Sequence, residues 1–194
     1  MAGIAQRQKD YGCCEETLGQ IVKLRTEVYG EAYDGLLIPL LRIASFQRAQ
    51  QLNDMVDETC KKGLEHTKLC LENEDILESA DKKESVVKLL MEFYQMLFHH
   101  YAVMKDTVNQ MAISNQYCSA IKQYIGETSR EHAEALYLKA KALSMDPETP
   151  PSQAMSTIKR SIHIWKNIPL SGGPKDLNHA MSLLLKASIL ARHM

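Results

Sequence analysis

The residues best suited to chemistry in this chain are its seven histidines and five cysteines. His99-His100 is the densest pair, but neighbouring helical positions diverge by about 100°, so the two rings cannot address one metal ion. A packed or half-exposed pair is expected instead. His132 and His179 stand near the starts of two helices, which suits turn packing, and His163 lies two residues before Trp165, where it can flank an aromatic contact. There is no HExxH and no Glu-x-x-His pair of the kind that builds a di-iron bundle. Cys13, Cys14, Cys60, Cys70 and Cys118 form no CxxC and offer no half of a zinc site. They are expected to be reduced, mostly buried thiols of a cytosolic protein. Gly172-Gly173-Pro174-Lys175 is too short to cradle a phosphate, and no G-x-S-x-G elbow is present. The expectation is a protein that is not an enzyme, with no catalytic residues, no cofactor and no metal.

The elements that would hold these residues belong to an ordinary soluble chain. It has 194 residues, 45% hydrophobic and 24% charged, a balance that excludes disorder. Its apolar runs fall far short of the 18 or so residues a membrane span requires, and no charged-then-apolar leader opens it. A cytoplasmic location is expected. The formal net charge of −1 conceals a gradient. Residues 1–97 carry 12 Lys and Arg against 17 Asp and Glu, a balance of −5, whereas residues 98–194 carry 11 against 7, a balance of +4. In residues 150–194, Lys159, Arg160, Lys166, Lys175, Lys186 and Arg192 face only Asp176. Such an end suits an acidic protein surface. Nucleic acid is not expected, because the basic residues are not interleaved with aromatics.

Helix formers fill nearly every segment, and alternating β-branched runs are missing. The pattern predicts eight helices, over about 11–29, 34–51, 53–73, 84–105, 107–125, 130–145, 152–167 and 176–192, with boundaries good to two to four residues. Ser85 or Asp81 is expected to cap the fourth, Ser129 the sixth and Ser152 the seventh, and Pro174 leads into the eighth. Gly30, Gly126 and Gly172-Gly173 fall at helix ends, where a left-handed residue is wanted. Pro39 either opens a helix or kinks one. Phe93, Tyr94, Met96, Leu97, Phe98, Tyr101 and Met104 make the fourth helix apolar almost all round, which predicts a central position.

The even-numbered helices align. The stretch from His132 to Ala140 (HAEALYLKA) matches that from His179 to Ala187 (HAMSLLLKA) at an offset of 47. Leu89, Leu90 and Phe93 lie a further 47 residues back, and Leu40, Leu41 and Ala44 another 49. Gly30 and Gly126 are 96 residues apart, close to two periods. A period near 47 fits a unit of two long helices. In that frame Ala140 and Ala187 are equivalent small residues at close helix contacts, and both should tolerate added bulk poorly.

Two segments carry a family resemblance. The run from Ile21 to Gly30, followed by Leu37 to Ala44, and the run from Ala120 to Ser129, followed by Ala133 to Ala140, resemble tetratricopeptide-type repeats of the long-helix, kinesin-light-chain kind. The resemblance departs from the family in its longer period, in an acidic linker at 72–84 within the second unit, and in a Pro/Gly linker at 169–175 within the fourth. It implies one all-α domain over 1–194, with about four antiparallel helix pairs stacked as a short right-handed superhelix. It also implies a protein–protein interaction scaffold, with a peptide or helix in a concave groove and a place in a cytoskeletal, ciliary or microtubule-associated assembly. Both chain ends look too apolar for a free stack, in the first helix (Cys14, Leu18, Ile21, Val22, Val28) and in the last (Leu183, Leu184, Leu185, Ile189, Leu190). Lys159, Arg160, Trp165, Lys166, Leu184, Lys186 and Arg192 are the expected partner-docking residues. The alternatives are an accessory subunit of another large complex, such as an organellar one, and a helical small-molecule binder.

Overall fold

The structure, a computed structural model, describes the backbone of residues 2–168 and 175–191, and the side chains of 12–168 except 75 and 77, and of 178–191. It is all-α, and no strand occurs among the described residues. The helices are α1 (Ala2–Tyr29), α2 (Leu37–Ala49), α3 (Asn53–Glu72), α4 (Glu74–Leu77), α5 (Ala80–Met104), α6 (Thr107–Tyr124), α7 (Arg130–Met145), α8 (Pro151–Asn167) and α9 (Lys175–Ala191). None of the described helices is long and apolar enough to cross a membrane.

The boundaries have local causes. Gly30 and Gly126 take φ of +81° and +123° just after α1 and α6, as their positions predict. Two further helix ends use residues with a Cβ in the same left-handed region, Gln51 after α2 and Lys105 after α5, at φ of 60° and 57°. There the Leu52 N–H donates to the Gln47 carbonyl at 2.9 Å and the Asp106 N–H to the Tyr101 carbonyl at 3.0 Å, closing the last turns. Composition gives no warning of these two. Ser129 caps α7 as expected, accepting from the His132 N–H at 3.0 Å, and Asp106 caps α6 by accepting from the Asn109 N–H at 3.0 Å.

Other local expectations need correction. The hydroxyl at the head of α5 is that of Ser79, which accepts from the Lys82 N–H at 3.4 Å, whereas Ser85 lies inside the helix and donates to the Asp81 carbonyl. Ser152 caps nothing, because α8 begins at Pro151, whose missing N–H would have had no partner in the first turn. Of the two places expected for Pro39 the structure has the first: it stands in the opening turn of α2, where its missing N–H needs no partner. The stretch 72–84, expected as an acidic linker, is mostly helical: α4 occupies 74–77 and α5 begins at Ala80. α1 begins at Ala2, well before residue 11. Most of the 169–175 linker, with Gly172, Gly173 and Pro174, lies outside the described residues.

The chain divides into two compact units, 1–100 and 101–194. In the first, α2 packs against α1 and α3, and the 3-10 turn Asp34–Leu36 touches all three. Leu36, Leu37, Leu40, Val56, Cys60, Leu90, Phe93 and Leu97 are buried there. Gly63 of α3 lies so near α5 that a Cβ on it would stand 2.4 Å from the Phe93 ring. The expected apolar girth of α5 is seen from Val86 to Tyr101, with Glu92 and His99 on an open stripe and Met104 exposed at its end. In the second unit, α7 packs against α6, α8 and α9, and α8 also packs against α9. Ala140 and Leu143 of α7 meet Ala154, Ile158 and Ile162 of α8 and Ile189 of α9 in one buried cluster.

Candidate interaction surface

The histidines and cysteines divide between the interior and the surface. His99 is exposed and its neighbour His100 is buried. Burial, the largest influence, holds the His100 imidazole below its usual range, with nearby Asp57 and Asp54 opposing the shift and Arg48 adding to it. His132 is 4% exposed, and neither of its ring nitrogens has a hydrogen-bond partner. Burial lowers its pKa, Arg160 and Lys122 lower it further, and Glu127 opposes them. Cys60, Cys70 and Cys118 are buried, and desolvation pushes their thiols up to about 12, 11 and 11. Such thiols stay protonated and unreactive. Cys13 and Cys14 are exposed. Among the described residues no group of three or more His, Cys, Asp or Glu is placed to hold a metal ion.

The expected docking residues do not form one patch. Lys159 and Lys166 lie one above the other on the exposed side of α8, seven residues apart. Arg160, also exposed, stands near enough to Glu127 and His132, around the α6–α7 turn, to lower the pKa of both. Trp165 is a correction: it is 5% exposed and belongs to the interior, with the Arg130 guanidinium 5.7 Å from its ring centroid. An aromatic so enclosed cannot anchor a partner. On α9, Leu184 is 69% exposed and Lys186 is half-buried. Two residues along a helix rotate the side chain by about 200°, so these two project to different sides. Arg192 lies outside the described residues.

Seating of α9 on its neighbours follows from small polar residues that sequence patterning alone does not single out. Ser161 of α8 and Ser182 of α9 are both fully buried. The Ser161 hydroxyl donates to the Ala133 carbonyl of α7 at 2.7 Å and lies 3.4 Å from the Ser182 hydroxyl. The Ser182 hydroxyl donates within α9 to the Asn178 carbonyl at 3.0 Å. Asn178 also donates through Nδ2 to Glu134 of α7 at 2.8 Å, and the Arg130 Nε donates to the same Glu134 oxygen at 3.3 Å. Burial raises the Glu134 pKa, and its two donors oppose that shift. These bonds tie one side of α9 to α7 and α8 and favour one rotation of α9 about its own axis.

That rotation turns a second apolar face outward. Asn178, Ser182, Leu185 and Ile189, at helical spacing, point inward, while Ala180, Leu183, Leu184, Ala187 and Leu190 are exposed. Leu183 and Leu190 are 45% and 49% exposed. The expected equivalence of Ala140 and Ala187 therefore holds in sequence and fails in environment: Ala140 is fully buried and Ala187 is open. No known protein-family model matches the chain, and no curated protein matches it either. The chain's own geometry carries its functional reading. The described side chains of α8 and α9 include Lys159, Arg160, Lys166 and Lys186 and no carboxylate. The outward side of α1 differs in kind. It exposes Leu24, Val28 and Tyr29, but Glu16, Thr17, Gln20 and Glu27 stand among them. Among the described side chains, the apolar exposure of α9 is the more continuous of the two.

Proposed function

We propose that the protein is a non-catalytic interaction scaffold of tetratricopeptide-like build, a subunit of a larger assembly that it meets through its C-terminal unit. The observation that carries this reading is the second apolar face of α9. Leu183 and Leu190 lie in line, with exposed Leu184 about 100° round the helix from Leu183, on a helix already seated by its other face, and apolar surface concentrated in this way supports a protein contact. The cations of α8 and the absence of carboxylates among the described side chains of α8 and α9 add a preference for acidic partners. A cytoskeletal, ciliary or microtubule-associated assembly would supply such surfaces, and the kinesin-light-chain-like segments favour one.

The test is affinity capture with the full chain beside a chain ending at residue 169. Defined partners lost on truncation support the reading. A chain that is stable, monomeric and partnerless sinks it. A second reading, an accessory subunit held permanently inside another complex, draws support from further exposed side chains, Val103 at 80% and Val108 at 77%. The chain expressed alone separates the two: a scaffold that exchanges partners stays in solution, and an embedded subunit aggregates.

A further inference from the structure

The open face of α9 has a covered counterpart in the same unit. At the offset of 47, Ala180, Leu183, Ala187 and Leu190 of α9 correspond to Ala133, Leu136, Ala140 and Leu143 of α7. All four α7 residues are buried, at 0%, 3%, 0% and 7% exposure. α8, together with Ile189 of α9, covers two of them. Ala140 and Leu143 pack with Ala154, Ile158 and Ile162, and the Ser161 hydroxyl bonds the Ala133 carbonyl. The occupant of the α7 face is thus an amphipathic helix with a small residue and two β-branched residues four apart. The inward faces correspond as well: Ser182 and Ile189 match Ala135 and Ala142, and all four are buried. α9 therefore repeats α7 on both sides, and its second side has no described occupant.

Charge narrows the chemistry of that occupant. Lys186, half-buried, borders the Leu183–Leu190 edge of the open face. A second copy of α9 laid antiparallel on the first would bring the two Lys186 edges together, at a cost in like-charge contact. A helix flanked by carboxylates meets the same edge favourably. From the repeated register and this border we infer that α9 docks an amphipathic helix of a partner protein, bearing an Ala-x3-Ile-x3-Ile type stripe edged by Asp or Glu, in the place α8 takes on α7. This inference rests on the scaffold reading and names the chemistry of its partner.

The probe is a stapled peptide of residues 151–167 carrying Lys159→Glu, Arg160→Glu and Lys166→Glu, compared with the unsubstituted stapled peptide. Both are titrated into the full chain by fluorescence anisotropy at low and high salt. The acidic peptide should bind several-fold tighter, because the rim contact with Lys186 changes from unfavourable to favourable, and salt should narrow the gap. Leu183→Glu with Leu190→Glu should abolish binding. Both positions are about half exposed, so an unchanged helical circular dichroism spectrum is expected. Lys186→Glu should reduce the preference for the acidic peptide without removing the apolar contact. Equal binding of the two peptides, no binding of the acidic one, or a dimer of the chain that the double substitution dissociates would each overturn the inference. Affinity capture that the double substitution leaves intact would overturn it while sparing the scaffold reading, and capture of no partner at all would remove both.

Discussion

α7 and α9 share nearly the same nine-residue opening and end in opposite surroundings. Ala140 has no exposed surface, and its counterpart Ala187 is open. Leu136 and Leu143 lie in the interior, whereas Leu183 and Leu190 present about half their surface to solvent. On their other faces the two helices agree, since Ala135, Ala142, Ser182 and Ile189 are all buried. Two apolar faces are thus written into each helix, and the number of neighbours decides how many are used. Among the described residues α7 packs against α6, α8 and α9, and α9 packs against α7 and α8.

Truncation in the core should separate the two helices most. Ile158→Ala removes a fully buried side chain from the α7–α8 contact, and urea titration should show a loss of about 2–5 kcal/mol. Leu184→Ala should stay within about 0.5 kcal/mol of the parent, as for an ordinary surface site. Similar losses for the two would mean that α9 is more deeply seated than its exposure indicates. Added bulk comes next. Ala140→Leu should cost about 1–3 kcal/mol by overpacking, while Ala187→Leu should leave the midpoint unmoved. Equal penalties would break the distinction between a filled and an open face.

The α7 cap gives a smaller effect. Ser129→Ala removes the acceptor for the His132 N–H and should lower stability by about 1 kcal/mol, with Ser129→Gly costing less. The smallest is a pH dependence. Burial favours neutral His132, so its folded pKa lies below the unfolded value near 6.5. Its contribution to stability is therefore present above that value and is lost as pH falls through the depressed folded pKa. His132→Gln should flatten this acid-side loss in a stability profile measured between about pH 7 and 5. His100, whose shift has the same sign, adds to the slope that remains. A profile identical to that of the parent would place His132 in a wetter site than its exposure indicates.

Local structure was legible in part: Ser129, Gly30 and Gly126 act within four residues of their helix ends, whereas Ser79 and Asp106, equally local, did not stand out among the neighbouring polar residues. Gln51 and Lys105 were not legible as terminators, because a left-handed residue with a Cβ is tolerated only when the turn around it closes, and composition does not report that closure. The seat of α9 was equally hidden. Ser161 and Ser182 are ordinary helix residues in sequence and become buried partners only when three helices converge. Trp165 shows the reverse difficulty. Its type suits an interface anchor or a core residue equally well, and only the packing of α7 and α8 around it encloses the ring.

By itself the sequence determined the all-α class, the helix ends at Gly30, Gly126 and Ser129, the 47-residue correspondence of α7 with α9, and the basic balance of the last segment. These depend on propensity, periodicity and charge, which act over a few residues or are simple sums. Only the tertiary structure decided which apolar face of each helix is covered, that Trp165 lies inside, and that Ala140 and Ala187 part company. Burial belongs to a residue together with its neighbours in space, and two helices with matching sequences carry no record of how many neighbours each will find.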